Sequence, residues 1–98
     1  MTPDQARAKL EECRVLIDDV DRRIVALLNE RTQVVEEIGR VKRASELPIY
    51  EPKREEQVFA NVTGSNHGPM SPDALRRIFE RIIDEMRKIQ RVRMAGDK

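Results

Sequence analysis

The stretch LLNERTQVVEEIGRVK, residues 27–42, has an arginine where the surrounding pattern calls for an aliphatic side chain. Apolar residues recur on both sides of Arg31 at alternating steps of three and four, the period of a helix face that packs on another helix. Burying a guanidinium is costly unless an anion pairs with it, so Arg31 indicates a binding site unless a protein carboxylate neutralises it. The apolar members of this face, called the seam below, are Leu10, Cys13, Ile17, Val20, Ile24, Leu27, Val34, Ile38 and Val41.

Start and stop signals divide the chain into three helices. Residues 2–4, Thr-Pro-Asp, combine a capping hydroxyl, a proline suited to the first turn and a carboxylate favoured by the helix dipole. Residues 71–73, Ser-Pro-Asp, repeat this signal. The pattern predicts helices over about residues 4–43, 52–63 and 72–94. Gly39 lies inside the first helix, where it indicates that a neighbouring backbone comes close.

The composition predicts an all-α protein. Charged residues make up 38% of the chain and aromatic residues 3%, whereas a β-sandwich needs more β-branched and aromatic side chains. At 98 residues the length is that of one domain, so we expect a single domain over residues 1–98.

Charge and cysteine content exclude several classes of partner. With 19 basic and 18 acidic residues and a net charge of +1, no overall field recruits nucleic acid or an anionic membrane. No apolar run approaches the roughly 18 residues of a membrane span, and the polar N-terminus does not resemble a secretion signal, so we expect a cytoplasmic protein. The one cysteine, Cys13, and the one histidine, His67, predict no metal site and no redox cofactor.

The length of the first helix predicts a dimer. About forty residues at 1.5 Å each span near 60 Å, whereas a compact domain of this size has a radius of gyration of only about 13 Å. Two shorter helices cover such a face only in part. The simplest arrangement is an intertwined two-fold homodimer in which the same face of two chains pairs.

Polar residues beside the seam predict an anion-binding groove. Lys42 lies within about 20° of Arg31 around the helix and about 16 Å further along it. Arg14 is displaced from that face by roughly 100°, so in a dimer it reaches the groove of the other protomer. Arg54 adds a cation, whereas Glu51 and Glu55 add two carboxylates and an acceptor for a hydroxyl. We therefore expect a compact dicarboxylate as the ligand. Four residues share one face of helix three and are called its stripe below: Phe79, Ile83, Met86 and Gln90. The last of them supplies an amide, a neutral hydrogen-bond donor.

Each of these residues also has an ordinary structural interpretation. Arg14 and Arg54 are of the kind that forms solvated ion pairs. A lysine near a helix C-terminus, such as Lys42, suits the helix dipole and extends its stem over apolar surface. Gln90 could face solvent, and Glu51 or Glu55 could neutralise Arg31. A coiled-coil dimer without an active site is therefore the alternative on these residues alone.

The spacing of these residues resembles the all-helical class, type II, of chorismate mutase. The matching pattern covers nearly the whole chain, and its spaced polar positions together are far more specific than any single motif. It consists of Arg14 with Asp21 seven positions on, LLNER ending at Arg31, IGRVK ending at Lys42, PIYEPKRE with Glu51, Arg54 and Glu55, and IIDEMRKIQ ending at Gln90.

The resemblance implies an intertwined helical dimer that rearranges chorismate to prephenate, on the route to phenylalanine and tyrosine, without a metal or cofactor. It implies that Arg14 of one protomer, with Arg31 and Arg54 of the other, engages the two substrate carboxylates. Lys42 and Gln90 would donate hydrogen bonds to the ether oxygen whose bond to carbon breaks. Glu55 would hold the ring hydroxyl, with Glu51 nearby. Met86 stands where some members have a small hydroxyl residue that touches the substrate.

Two rival functions stay open on the sequence. An isochorismate-pyruvate lyase of the same fold also needs a cationic pocket; Glu55 favours the mutase, because relatives with the lyase activity tend to lack a carboxylate there. The second rival is a non-catalytic helical dimer that regulates or docks on another enzyme of the shikimate pathway. A complex of the active mutase with such an enzyme is a further possibility. No dehydratase or dehydrogenase segment is fused to the mutase pattern, which is expected for a single-function form or an excised piece.

Overall fold

The computed structural model describes the backbone of residues 1–96 and the side chains of residues 1–93. Three helices follow one another: α1 over Pro3–Ala44, α2 over Pro52–Gly64 and α3 over Pro72–Gly96. The described residues contain no strand, so the predicted all-α class with a very long first helix is confirmed. The predicted starts of α2 and α3 agree with the structure, and the other four limits differ by one or two residues. The single domain over residues 1–98 stays a prediction, and its last two residues lie outside the described ones.

The helix starts follow from the residues that precede them. The Thr2 hydroxyl accepts a hydrogen bond from the amide of Gln5 at 3.1 Å, and the Gln5 side chain accepts one from the Thr2 amide at 2.8 Å. This reciprocal pair is a capping box. At α3, the Ser71 hydroxyl accepts from the amide of Ala74 at 3.1 Å. Both predicted caps are therefore present.

The end of α1 depends on a residue in the left-handed backbone region. The Leu47 amide donates to the carbonyl of Lys42 at 2.8 Å, and Glu46 between them has a φ of 54°. This geometry closes a helix in the way that usually requires glycine. The turn directs residues 47–51 towards the start of α2.

The chain separates into two compact units, of which the first is Met1–Gln33. Within it, the apolar residues of α1 are exposed in the single chain, including Leu10, Ile17, Val20, Ile24 and Leu27. Cys13, another seam residue, is exposed as well.

The second unit begins at Val34 and holds the core. The residues that α1 buries here are Val35, Gly39 and Lys42, at helical spacing. They lie one position beyond the seam residues Val34, Ile38 and Val41, which are exposed. The chain therefore buries the face next to the seam, and the seam itself stays on the surface.

Helices α2 and α3 complete this core. Ile83 and Met86 of α3 are buried, and Phe79 and Gln90 at either end of the same stripe are half-buried. This is the predicted stripe of helix three. No helix within the described residues is long and apolar enough to cross a membrane.

Candidate functional site

Lys42 is the centre of the polar cluster in the second unit. Lys42 is only 6% exposed. Its ammonium donates to the carbonyl oxygen of Ile49 at 2.8 Å and to Oε1 of Gln90 at 3.2 Å, and it lies 2.8 Å from Oε1 of Glu51. An ammonium has three donors, so the protein satisfies each of them. Lys42 does lie in the last turn of α1, as its ordinary interpretation requires, but its ammonium is held by these three protein contacts.

The three partners of Lys42 come from different parts of the unit. Ile49 and Glu51 belong to the segment between α1 and α2, and Gln90 lies on α3. Lys42 reaches them because it is on the buried face of α1, close to the end of the helix. The ammonium therefore ties α1, the connecting segment and α3 together.

Gly39 allows α3 to approach α1 beside this cluster. A Cβ atom at residue 39 would lie 3.8 Å from Cγ and 3.9 Å from Cα of Gln90. The predicted close approach of a neighbouring backbone is therefore confirmed. It brings Gln90 within reach of Lys42.

Glu51 is the exposed side of the cluster, with its side chain 49% exposed. The hydrogen bond and the charge of Lys42 hold the pKa of Glu51 below its usual range; desolvation opposes this shift, and Arg54 adds a smaller lowering effect. Glu51 occupies the N-cap position of α2, but its side chain makes no capping hydrogen bond. Its carboxylate is directed to Lys42 instead.

Glu55 belongs to a second ion pair that the sequence did not reveal. Both of its oxygens accept from Arg87 of α3, at distances between 2.9 and 3.2 Å. Arg87 lies three residues before Gln90, and this helical spacing is the signal that could have identified it. Glu51 and Glu55 thus pair with Lys42 and Arg87 in this unit.

The other predicted residues of the unit are less constrained or more deeply packed. Arg54 is exposed, and its guanidinium lies 3.4 Å from Oε1 of Gln57. Met86 is buried, with 7% of its surface exposed, together with Ile83 and Val35. The structure therefore brings Lys42, Glu51 and Gln90 into direct contact.

Two predicted residues lie in the unit Met1–Gln33. Arg14 is exposed, with its guanidinium 3.8 Å from the carboxylate of Glu11. This weak pair is the solvated arrangement that the sequence left open for Arg14 within one chain. Arg31 is half-buried.

An open groove of about 520 Å³ lies along α2 and α3. Among the predicted site residues, only Glu55 lines it, so the groove is not centred on the Lys42 cluster. The described residues contain no group of three or more His, Cys, Asp or Glu side chains that could hold a metal ion. The groove lining is Glu55, Phe59, Arg77, Glu80, Arg81, Ile83, Asp84 and Arg87.

Comparison with known proteins places the chain in a family. Residues 13–91 match the family model described as chorismate mutase type II. A solved structure of chorismate mutase (form II) from Thermus thermophilus is similar over 85% of this chain and 94% of that one, with 36% identity and a TM-score of 0.82. A chorismate mutase from Helicobacter pylori, solved in complex with prephenate, is similar over 90% and 96% of the two chains, with 26% identity and a TM-score of 0.83.

A curated relative is much longer than this chain. The bifunctional chorismate mutase/prephenate dehydratase of Stutzerimonas stutzeri is 36% identical over 80 residues, which is 76% of this chain and 22% of that protein. The chain thus spans about a fifth of that relative's length. The match to the family model covers most of the chain, and the polar residues that carried the resemblance lie within it. The chain therefore belongs to the chorismate mutase type II family.

Proposed function

We propose that the chain catalyses the rearrangement of chorismate to prephenate, as a homodimer. The observation that carries the proposal is the buried ammonium of Lys42, held by Ile49 and Glu51 of the segment before α2 and by Gln90 of α3. Family membership and the likeness to chorismate mutases along nearly whole chains support the same function. The cytoplasmic location stays a prediction.

The proposed chemistry needs positioned donors. A [3,3] rearrangement is concerted and unimolecular, so it requires no nucleophile and no proton transfer. The enzyme must hold a flexible dianion in a chair-like, near-attack geometry. It must also place donors where negative charge builds on the ether oxygen. Contacts that strengthen in the transition state raise turnover, whereas equal binding of both states does not.

Lys42 and Gln90 are suited to donate to that oxygen. The side-chain carbonyl of Gln90 accepts from Lys42, which leaves the Gln90 amide nitrogen to donate. Glu51 is the most exposed of the three partners of Lys42. A substrate oxygen would therefore displace Glu51 with the least cost to the core, and Lys42 would keep its contacts with Ile49 and Gln90.

The remaining site residues are proposed to bind the substrate. Arg31 and Arg54 of one protomer and Arg14 of the partner subunit would engage the two carboxylates. Glu55 would accept from the ring hydroxyl, with Glu51 nearby and Met86 as apolar wall. The family pattern in the sequence supports these assignments, because each residue stands at a matching position. Arg31 is thus proposed for both binding and catalysis.

Exposed apolar surface supports the homodimer. On the first unit, the seam residues from Leu10 to Leu27 are exposed in the single chain. A contiguous apolar face of this kind marks an interaction surface. A second copy would cover it with the same face and would bring Arg14 of the partner subunit to the site.

The direct test is an assay of the purified chain with chorismate and, in parallel, with isochorismate. We expect prephenate to form from chorismate. Lys42→Met should abolish the reaction, whereas Lys53→Met, which removes the same charge from the exposed surface of α2, should leave it unchanged. Pyruvate release from isochorismate that exceeds prephenate formation would assign the lyase instead. A folded chain that is inactive on both compounds would favour the non-catalytic dimer.

A further inference from the structure

The ion pair between Arg87 and Glu55 joins α3 to α2 through three hydrogen bonds. Nε of Arg87 donates to Oε2 of Glu55 at 3.2 Å, and Nη2 donates to Oε1 and Oε2 at 2.9 Å each. The two side chains are 24% and 23% exposed. A fork of this kind fixes the plane of the carboxylate as well as its position.

Arg87 is itself held from two further sides. Its Nη1 lies 3.9 Å from Oδ1 of Asp84, one turn earlier on α3. Its guanidinium carbon lies 5.1 Å from the centre of the Tyr50 ring. Tyr50 stands between Ile49 and Glu51, both of which contact Lys42. Arg87 is therefore anchored to the segment that also forms the Lys42 cluster.

This pairing determines what Glu55 can offer to a ligand. A carboxylate has about four lone-pair sites, and Arg87 makes three contacts with it, so room remains for one further donor. The adjacent guanidinium offsets the negative charge of Glu55. A neutral hydroxyl needs only the free lone pair, whereas an ammonium would also meet the positive charge of Arg87.

We propose that Arg87 is a positioning residue that makes Glu55 selective for a hydroxyl over an ammonium group on the substrate ring. This inference rests on the proposed function, in which Glu55 accepts from the ring hydroxyl of chorismate. Arg87 acts through Glu55 and does not itself touch the substrate. It disfavours the analogue in which an amino group replaces the ring hydroxyl.

The test compares kcat/KM for chorismate and for this amino analogue. In Arg87→Gln, the ratio of the two values, hydroxyl over amine, should fall by about tenfold, because the lone carboxylate attracts the ammonium. Arg87→Lys keeps the charge and should recover part of the ratio. The matched control is Lys88→Gln, which removes one positive charge from the next, exposed position of α3 and should leave the ratio unchanged.

A second variant should move the ratio in the opposite direction. Glu55→Gln removes the carboxylate charge and leaves Arg87, so activity on chorismate should decline while the amino analogue declines further. This variant also serves if circular dichroism shows that Arg87→Gln does not fold. If the ion pair only stabilised the fold, Arg87→Gln and Glu55→Gln would not shift the ratio of the two kcat/KM values in opposite directions.

The outcomes separate this inference from the proposed function. Equal losses on both compounds in Arg87→Gln, with a wild type that rearranges chorismate, would overturn the role of Arg87 and leave the mutase function standing. A wild type that rearranges neither compound would overturn the proposed function. In that case calorimetry, which needs no turnover, measures the affinity of wild type and of Arg87→Gln for both compounds. An unchanged ratio of the two affinities would overturn the role of Arg87, and a tenfold shift of that ratio would support it.

Discussion

Lys42 donates a hydrogen bond to the side-chain oxygen of Gln90, over 3.2 Å and 48 positions of sequence. The contact orients the amide of Gln90 by occupying its acceptor. It also couples two residues that share one proposed task, donation to the ether oxygen of the substrate. Replacing Gln90 should therefore affect stability less than replacing Lys42, because Lys42 also contacts Ile49 and Glu51.

Gln90→Ala should reduce kcat by about 10²- to 10³-fold, the usual effect of removing one preorganised donor. The free energy of unfolding should fall by about 1 to 3 kcal/mol, since one donor of the buried ammonium loses its partner while Lys42 keeps two contacts. Steady-state kinetics and urea denaturation measure the two effects. Arg91→Ala, at the next and exposed position of α3, is the control. An unchanged kcat in Gln90→Ala would place the amide outside the reaction.

Gly39→Ala should stabilise the protein. The new Cβ would lie 3.8 Å from its nearest neighbour, Cγ of Gln90, which is ordinary van der Waals contact. Alanine is favoured over glycine inside a helix by about 1 kcal/mol, so the free energy of unfolding should rise by about that amount. Urea denaturation at equal protein concentration measures it. Gly39→Val, which adds two further carbons towards Gln90, should lower both stability and kcat.

Glu51→Gln should lower stability at neutral pH in a pH-dependent way. The ammonium of Lys42 lowers the pKa of Glu51 in the folded chain, so the folded state favours the ionised carboxylate. The greater stability of wild type over Glu51→Gln is then fully present above the ordinary glutamate pKa of about 4.3. It disappears as the pH falls through the lower, folded value. Melting temperatures of both proteins from neutral to acid pH should converge at the acid end. A difference in melting temperature that does not change with pH would mean that Glu51 stabilises the protein through its packing and not through its charge.

Mixed dimers test whether Arg14 crosses between protomers. Arg14→Ala and Arg31→Ala should each be nearly inactive. When the two chains are refolded together, half of the dimers pair one chain of each kind, and each such dimer has one intact site. About a quarter of wild-type activity should therefore return. A mixture of Arg14→Ala with the Arg14→Ala/Arg31→Ala double variant should stay inactive. Absence of rescue in the first mixture would place Arg14 in its own chain's site or outside it.

Glu46→Gly should raise stability without affecting turnover. Glu46 has a φ of 54° at the end of α1, a conformation that costs a residue with a Cβ about 1 kcal/mol or more. Glycine removes this strain, although part of the gain is lost to the greater freedom of the unfolded chain. Glu56→Gly, in the interior of α2, should instead destabilise by about 1 kcal/mol. A loss of stability in Glu46→Gly would show that its side chain holds the turn.

The helices were predictable because their signals are local. The caps at residues 2–4 and 71–73 depend on neighbours in sequence, and the predicted helix limits lie within two residues of the observed ones. The turn at Glu46 was not predictable in this way, since no glycine stands at the left-handed position. The turn forms there nonetheless, with the Leu47 amide bonded to the carbonyl of Lys42.

The cluster around Lys42 was predictable only in part. Helical spacing identified Lys42 and Gln90 as candidates, and the resemblance to a family added roles for Glu51 and Glu55. The burial of Lys42 and the fork from Arg87 to Glu55 depend on how closely α3 approaches α1 and α2. That distance is set by side-chain packing around Gly39 and Met86, which periodicity does not encode.

The contacts of Lys42 join the end of α1 to the connecting segment and, across 48 positions of sequence, to Gln90 on α3. The same nitrogen is the proposed hydrogen-bond donor to the ether oxygen. Natural variation at residue 42 is thereby subject to two demands at once, folding yield and reaction rate. Positions that affect only folding or only the reaction rate, such as Glu46 for folding, tolerate substitution more easily. Redesign of this protein for a new substrate is best begun away from that nitrogen.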